Sequence, residues 1–208
     1  VGSVAIRDAL NGASVIAKGV PTQATTLTAR TIGDGSRVDL GSRVNSLVAA
    51  SVGNAAFAFP AAATIRITGS FGADMTISGT TAAKLSLSNF EVKGTISGST
   101  VLITTGDVGA ITAGAVQGSR FLIGYSGTQL PNDVEDFSAN SKLGSFTIKP
   151  AKGVTSAFSD TWVVAQRIGT VAIALPSVEF AGSVVADAID KVSIARVVEG
   201  KGVTTTRS

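Results

Sequence analysis

Short runs of alternating apolar and small polar residues, punctuated every few positions by Gly, Ser or Thr, recur along the chain at about twenty-residue intervals. Thr64-Ile65-Arg66-Ile67-Thr68, Lys84-Leu85-Ser86-Leu87-Ser88 and Ser145-Phe146-Thr147-Ile148-Lys149 are examples. Period-two alternation is the pattern of a strand with one buried face, and 3.6-residue helical periodicity is nearly absent. A fixed repeat of this length points to coils that stack on one another.

Two repeats carry the reading. Residues 62–81 align on 82–100, with Ile65 on Leu85, Ile67 on Leu87, Phe71 on Phe90 and Ile77-Ser78-Gly79 on Ile96-Ser97-Gly98, which gives steps of 20 and then 19. Residues 101–120 have a similar length. A second motif is an apolar residue, usually Gly, a small residue, then an apolar-x-apolar strand. It occurs as Val1-Gly2-Ser3-Val4-Ala5-Ile6, Val108-Gly109-Ala110-Ile111, Leu143-Gly144-Ser145-Phe146 and Ile168-Gly169-Thr170-Val171, with a degenerate copy at Ile189-Asp190-Lys191-Val192. Gly before a strand suits a coil corner that needs positive φ or close backbone approach. The expected fold is all-β: a right-handed parallel β-helix of eight to ten coils of about 20 residues. An antiparallel β-sandwich is the alternative, disfavoured by near-identity at a fixed step.

The expected organisation is one solenoid domain over 1–199 with a polar loop excursion at 124–141, followed by a flexible or capping tail at 200–208. The apolar window 46–65 is as long as a membrane span, but Ser51, Gly53, Asn54 and Pro60 interrupt it, so strand and turn are expected there and no span. The first residues lack a basic segment followed by an apolar one, so no signal peptide is read, and the chain reads as a piece of something longer.

Composition removes several chemistries. The chain has no His and no Cys, which excludes Ser-His-Asp catalysis, a Cys nucleophile, disulfides and zinc–cysteine sites. Its 17 basic and 14 acidic residues are scattered, with no basic run to follow a phosphate backbone, so no nucleic-acid partner is expected. With 44% hydrophobic residues and a net charge of +3, a disordered chain is excluded. A Cys-free chain of this length fits an exported bacterial protein.

Ile32-Gly33-Asp34-Gly35-Ser36-Arg37-Val38-Asp39-Leu40 resembles repeats in large exported parallel β-helix proteins of planctomycete-type bacteria. So do Lys84-Leu85-Ser86-Leu87, Ser119-Arg120-Phe121-Leu122-Ile123-Gly124-Tyr125 and the run from Trp162 to Val171. The resemblance covers most of the chain. It implies a segment of a long extracellular or cell-surface protein, with no catalytic residues to carry over.

Candidate sites are few. Asp133, Glu135 and Asp136 put three carboxylates in the loop, a low-affinity calcium site or else a solvated acidic surface. Asp74, Glu91 and Asp107 are the carboxylates that a β-helical polysaccharide enzyme would have to pair. Their spacings of 17 and 16 residues miss the coil step, so no catalytic residue is assigned and the chain is read as a non-enzyme. Tyr125 and Trp162 could each stack on a sugar, Tyr125 being the better surface candidate and Trp162 the better packing residue. Gly33-Asp34-Gly35 lacks the tandem nonapeptide context of a calcium roll. Thr26-Leu27-Thr28 and Thr204-Thr205-Thr206 do not recur at the coil step, so an ice-binding face is rejected. No cofactor or metal is expected. The expected role is structural: a rod whose exposed coil edges can join end to end, or alternatively an adhesin module for an extracellular glycan or surface protein.

Overall fold

The computed structural model describes residues 2–81, 84–137, 141–151, 154–176, 180–198 and 201–207, with side chains through 195. The strands are β1 (Ser3–Leu10), β2 (Ser14–Ala17), β3 (Ala24–Ile32), β4 (Arg37–Leu40), β5 (Arg43–Val52), β6 (Ala56–Phe59), β7 (Ala62–Ile67), β8 (Asp74–Ile77) and β9 (Leu85–Ser97). They continue as β10 (Thr100–Ile103), β11 (Asp107–Gln117), β12 (Arg120–Ile123), β13 (Lys142–Ile148), β14 (Phe158–Ala165), β15 (Arg167–Leu175), β16 (Ala181–Val185), β17 (Ala188–Val198) and β18 (Lys201–Arg207). The chain is a parallel β-solenoid of about nine turns, about 21 residues each.

Each of the first eight coils lays two strands, the first mostly the longer, and these stack in two parallel ladders, of nine long-ladder and eight short-ladder strands among the described residues. Odd-numbered strands pair successively from β1 to β17, and even-numbered strands from β2 to β16. The apolar positions of the sequence are the inward ones. Val4, Leu27, Leu47, Ile65, Phe90, Ile111, Phe146, Val171 and Val192 form one continuous column on the long strands. On the short strands the column is Val15, Val38, Phe57, Met75, Val101, Phe121, Val163 and Val184. A third column closes the core where the long strand ends: Leu10, Ile32, Val52, Phe71, Ile96, Val116 and Phe158. Stacked identical positions let every interior strand satisfy its backbone from the coils above and below. Phe71 and Phe90 meet edge-on at 5.1 Å, as do Phe121 and Phe146 at 5.4 Å.

The recurrent Gly motif is the corner that opens each long strand. Val108, Leu143, Ile168 and Ile189 stack in register, and each lies three residues before the next inward side chain rather than two. That break in alternation is the chain turning from corner to face. Gly109, Gly144 and Gly169 sit between, and a Cβ on them would come within 2.3, 2.4 and 2.5 Å of carbonyl oxygens of the coil below. None of the three has positive φ, so close approach is the requirement. Positive φ occurs just ahead of this corner at Lys84 (+61°) and Gly106 (+82°), and recurs in register at the corner that opens the short strands, where Gly98 (+61°) and Gly118 (+56°) stack and Asp160 (+46°) follows.

The first repeat is a correction. Ile65 stacks on Phe90, not Leu85, and Phe71 on Ile96, not Phe90, a step of 25. The turn between β8 and β9 is long, and an alternating pattern matches itself when slipped, so identity alone chose the wrong register. By contrast, residues 101–120 do form a coil with a 20-residue step, Val101 stacking on Phe121. The apolar window 46–65 lies on β5, β6 and β7. Residues 201–207, expected as a loose tail or a cap, form β18, which pairs antiparallel with β17.

Candidate functional site

The excursion between β12 and β13 leaves the coil, and its described part then lies back against the outer flank of the short strands. Leu122 and Val164 point outward there and are nonetheless 6% and 0% exposed, because Tyr125, Leu130 and Phe137 pack over them. Tyr125, by sequence the better surface candidate, is only 6% exposed, contacts the Phe137 ring at 5.8 Å and donates its hydroxyl hydrogen to the Gln129 carbonyl, so it anchors the loop and offers no free face. Trp162 is half-buried on the same flank, with the Arg120 guanidinium 4.4 Å from its ring centroid. This cation–π contact joins adjacent coils, since Arg120 and Trp162 are register partners.

Asp133, Glu135 and Asp136 are all exposed around a 3₁₀ turn at Val134–Asp136. The Asp136 carboxylate accepts the backbone N–H groups of Asn132 (2.7 Å) and Asp133 (3.2 Å), which fixes the turn. Among the described residues no three acidic groups are gathered as a metal would need. Asp34 likewise serves its corner: its carboxylate accepts the Asn54 N–H at 2.7 Å, and Gly35 beside it takes φ +70°.

The three carboxylates weighed for polysaccharide chemistry stand apart. Asp74 begins a short strand and accepts the Thr100 N–H (2.7 Å). Glu91 lies mid-face on β9 and pairs with Arg66 (2.9 Å). Asp107 sits at the corner opening β11 and accepts the Lys142 N–H (2.8 Å). Thr26 does share a row of small polar residues with Ser3, Ser46 and Thr64, which the sequence step did not reveal. The neighbouring row runs Ala5, Thr28, Val48 and Arg66, so the face is not a two-column hydroxyl array.

A cleft that no motif announced lies farther along the corner that opens the long strands. Ser141, Lys142, Gln166, Arg167 and Asp187 line an open space of about 330 Å³. Three successive coils supply them. Arg167 donates its N–H to the Ser141 carbonyl (3.3 Å), Asp187 donates to the Gln166 carbonyl (3.0 Å), and Lys142 and Arg167 are register partners. Two cations stacked directly in a ladder repel. Asp190 relieves this from the next coil, at 3.8 Å from Lys142 Nζ and 3.4 Å from an Arg167 guanidinium nitrogen.

Among the described residues two buried side-chain atoms, Arg43 Nε and Ser141 Oγ, have no hydrogen-bond partner, and Ser141, 2% exposed, is the one that lines the cleft. Other buried serines at this corner are satisfied: the Ser42 hydroxyl pairs with that of Thr25 at 2.7 Å, and Ser86 donates to the carbonyls of Gly79 and Thr105. Sequence reasoning missed the cleft because its residues come from positions 141 to 187 on steps of 25 and 21, and none belongs to a recognisable motif. No family model, no curated protein and no solved structure matches this chain.

Proposed function

We propose that the chain is a non-enzymatic, rod-like segment of an extracellular or cell-surface bacterial protein, whose coils are continued end to end by further coils. The observation that carries this reading is the open N-terminal edge. β1 pairs only with β3, and β2 only with β4, among the described residues. Val4, Ile6, Leu10, Val15 and Ala17 are only partly buried, whereas their neighbours Leu27, Ile32, Val38 and Leu40 are 0–2% exposed. Ile16 and Val20 are 62% and 50% exposed in the same coil. An apolar core cross-section beside unpaired strands favours another strand layer above it. At the other end β18 pairs antiparallel with β17, while among the described residues β16 pairs only with β14. A joining copy would therefore meet one covered and one open ladder.

Sedimentation velocity over a concentration series tests this, with the wild type beside Val15→Lys. The reading expects mass to rise with concentration for the wild type and to stay at one chain for Val15→Lys, since an inward charge at an edge blocks strand addition. A wild type that stays at one chain throughout would refute association between copies.

A further inference from the structure

We propose that the corner cleft of Ser141, Lys142, Gln166, Arg167 and Asp187 is a binding subsite for a neutral saccharide. The inference stands on the cleft and does not depend on end-to-end stacking.

The donors and acceptors select the ligand class. Of the charges, Lys142, Arg167 and Asp187 line the cleft, and Asp190 beside it pairs with both basic heads, so the group as a whole has no net charge to attract an ion. An anion would face Asp187, with Asp190 already holding the two cations, and a cation would face the two basic heads. The basic pair is loosely held, at 3.4 and 3.8 Å from Asp190 and about half exposed, so both heads remain free to turn toward a ligand. A sugar hydroxyl both donates and accepts, which suits a wall of two cations, a carboxylate, an amide and a hydroxyl.

The Ser141 hydroxyl supplies the second, independent observation. A buried hydroxyl without a partner costs about 1–3 kcal/mol, and in native proteins such a group calls for a ligand or water. The volume of about 330 Å³ is at the lower end for small-molecule sites, typically about 300–1,000 Å³. The coils present Ser141, Gln166 and Asp187 at successive strand spacings of about 4.8 Å, close to the length of one pyranose unit. A linear chain of such units lying along the corner would meet one coil per sugar.

The experiment is a titration of the ¹⁵N-labelled full chain with cellotetraose, xylotetraose, mannotetraose and maltotetraose, with tetragalacturonate as the charged control. The expected result is that at least one neutral tetrasaccharide shifts the amide signals of Ser141, Lys142, Gln166 and Arg167. Ser141→Ala should then weaken binding about five- to tenfold while raising the melting temperature of the free protein slightly, because it removes a buried hydroxyl that has no partner among the described residues. Shifts with tetragalacturonate alone would overturn the neutral-ligand assignment. Absence of shifts with all four neutral sugars would leave a hydrated cleft and overturn the proposal. Binding that survives Ser141→Ala undiminished would place the site elsewhere.

Discussion

Two kinds of glycine hold the coils, and they should fail differently. Gly144 has ordinary φ, but a Cβ there would meet the Gly109 carbonyl oxygen at 2.4 Å. Gly118 has φ +56° with its nearest outside atom 3.9 Å from a Cβ. Gly144→Ala should therefore cost about 1–3 kcal/mol by forcing two coils apart, and Gly144→Asn more. Gly118→Ala should cost about 1–2 kcal/mol from left-handed backbone strain, and Gly118→Asn less, since Asn tolerates that region. Chemical denaturation of the four variants checks the crossover. The sequence made the first kind legible, because Gly109, Gly144 and Gly169 stood at one place in a motif. It could not say which of close approach or positive φ was needed, since both are met by the same residue.

At the level of the strand, burial of single columns is the main stabilising contribution. Phe90 is fully buried and touches Phe71 of the preceding coil, so Phe90→Ala should cost about 3–5 kcal/mol by urea titration. Tyr125 belongs to the outer flank instead. Tyr125→Ser should loosen the loop over Leu122 and Val164, speeding amide exchange in residues 125–137 while the exchange of β9 and β11 stays unchanged. The strands were readable from alternation, and the corner from its three-residue break at Val108–Ile111, Leu143–Phe146 and Ile168–Val171. The pairing of Ile65 with Phe90 was hidden because turn length between coils varies freely, while Leu85 and Leu87 imitate the pattern of Ile65 and Ile67. The role of Tyr125 was hidden for a related reason: packing on the outside of a coil follows no periodicity. The corner cleft needed the fold itself, because only stacking brings Ser141, Gln166 and Asp187 together.

At the scale of the whole stack, the first and last described coils are unequal. β1 and β2 leave a coil of partly buried apolar residues, whereas β18 runs antiparallel across β17. Under the proposed role, a heterologous contact between unlike coil edges would propagate without closing and build a filament. About nine coils at about 4.8 Å each make a rod of about 43 Å per chain along its axis. Negative-stain electron microscopy across a concentration series tests the structural role most directly. The account predicts filaments of one narrow width, with an axial repeat near that rod length, that shorten on dilution. Single short rods at every concentration would contradict it.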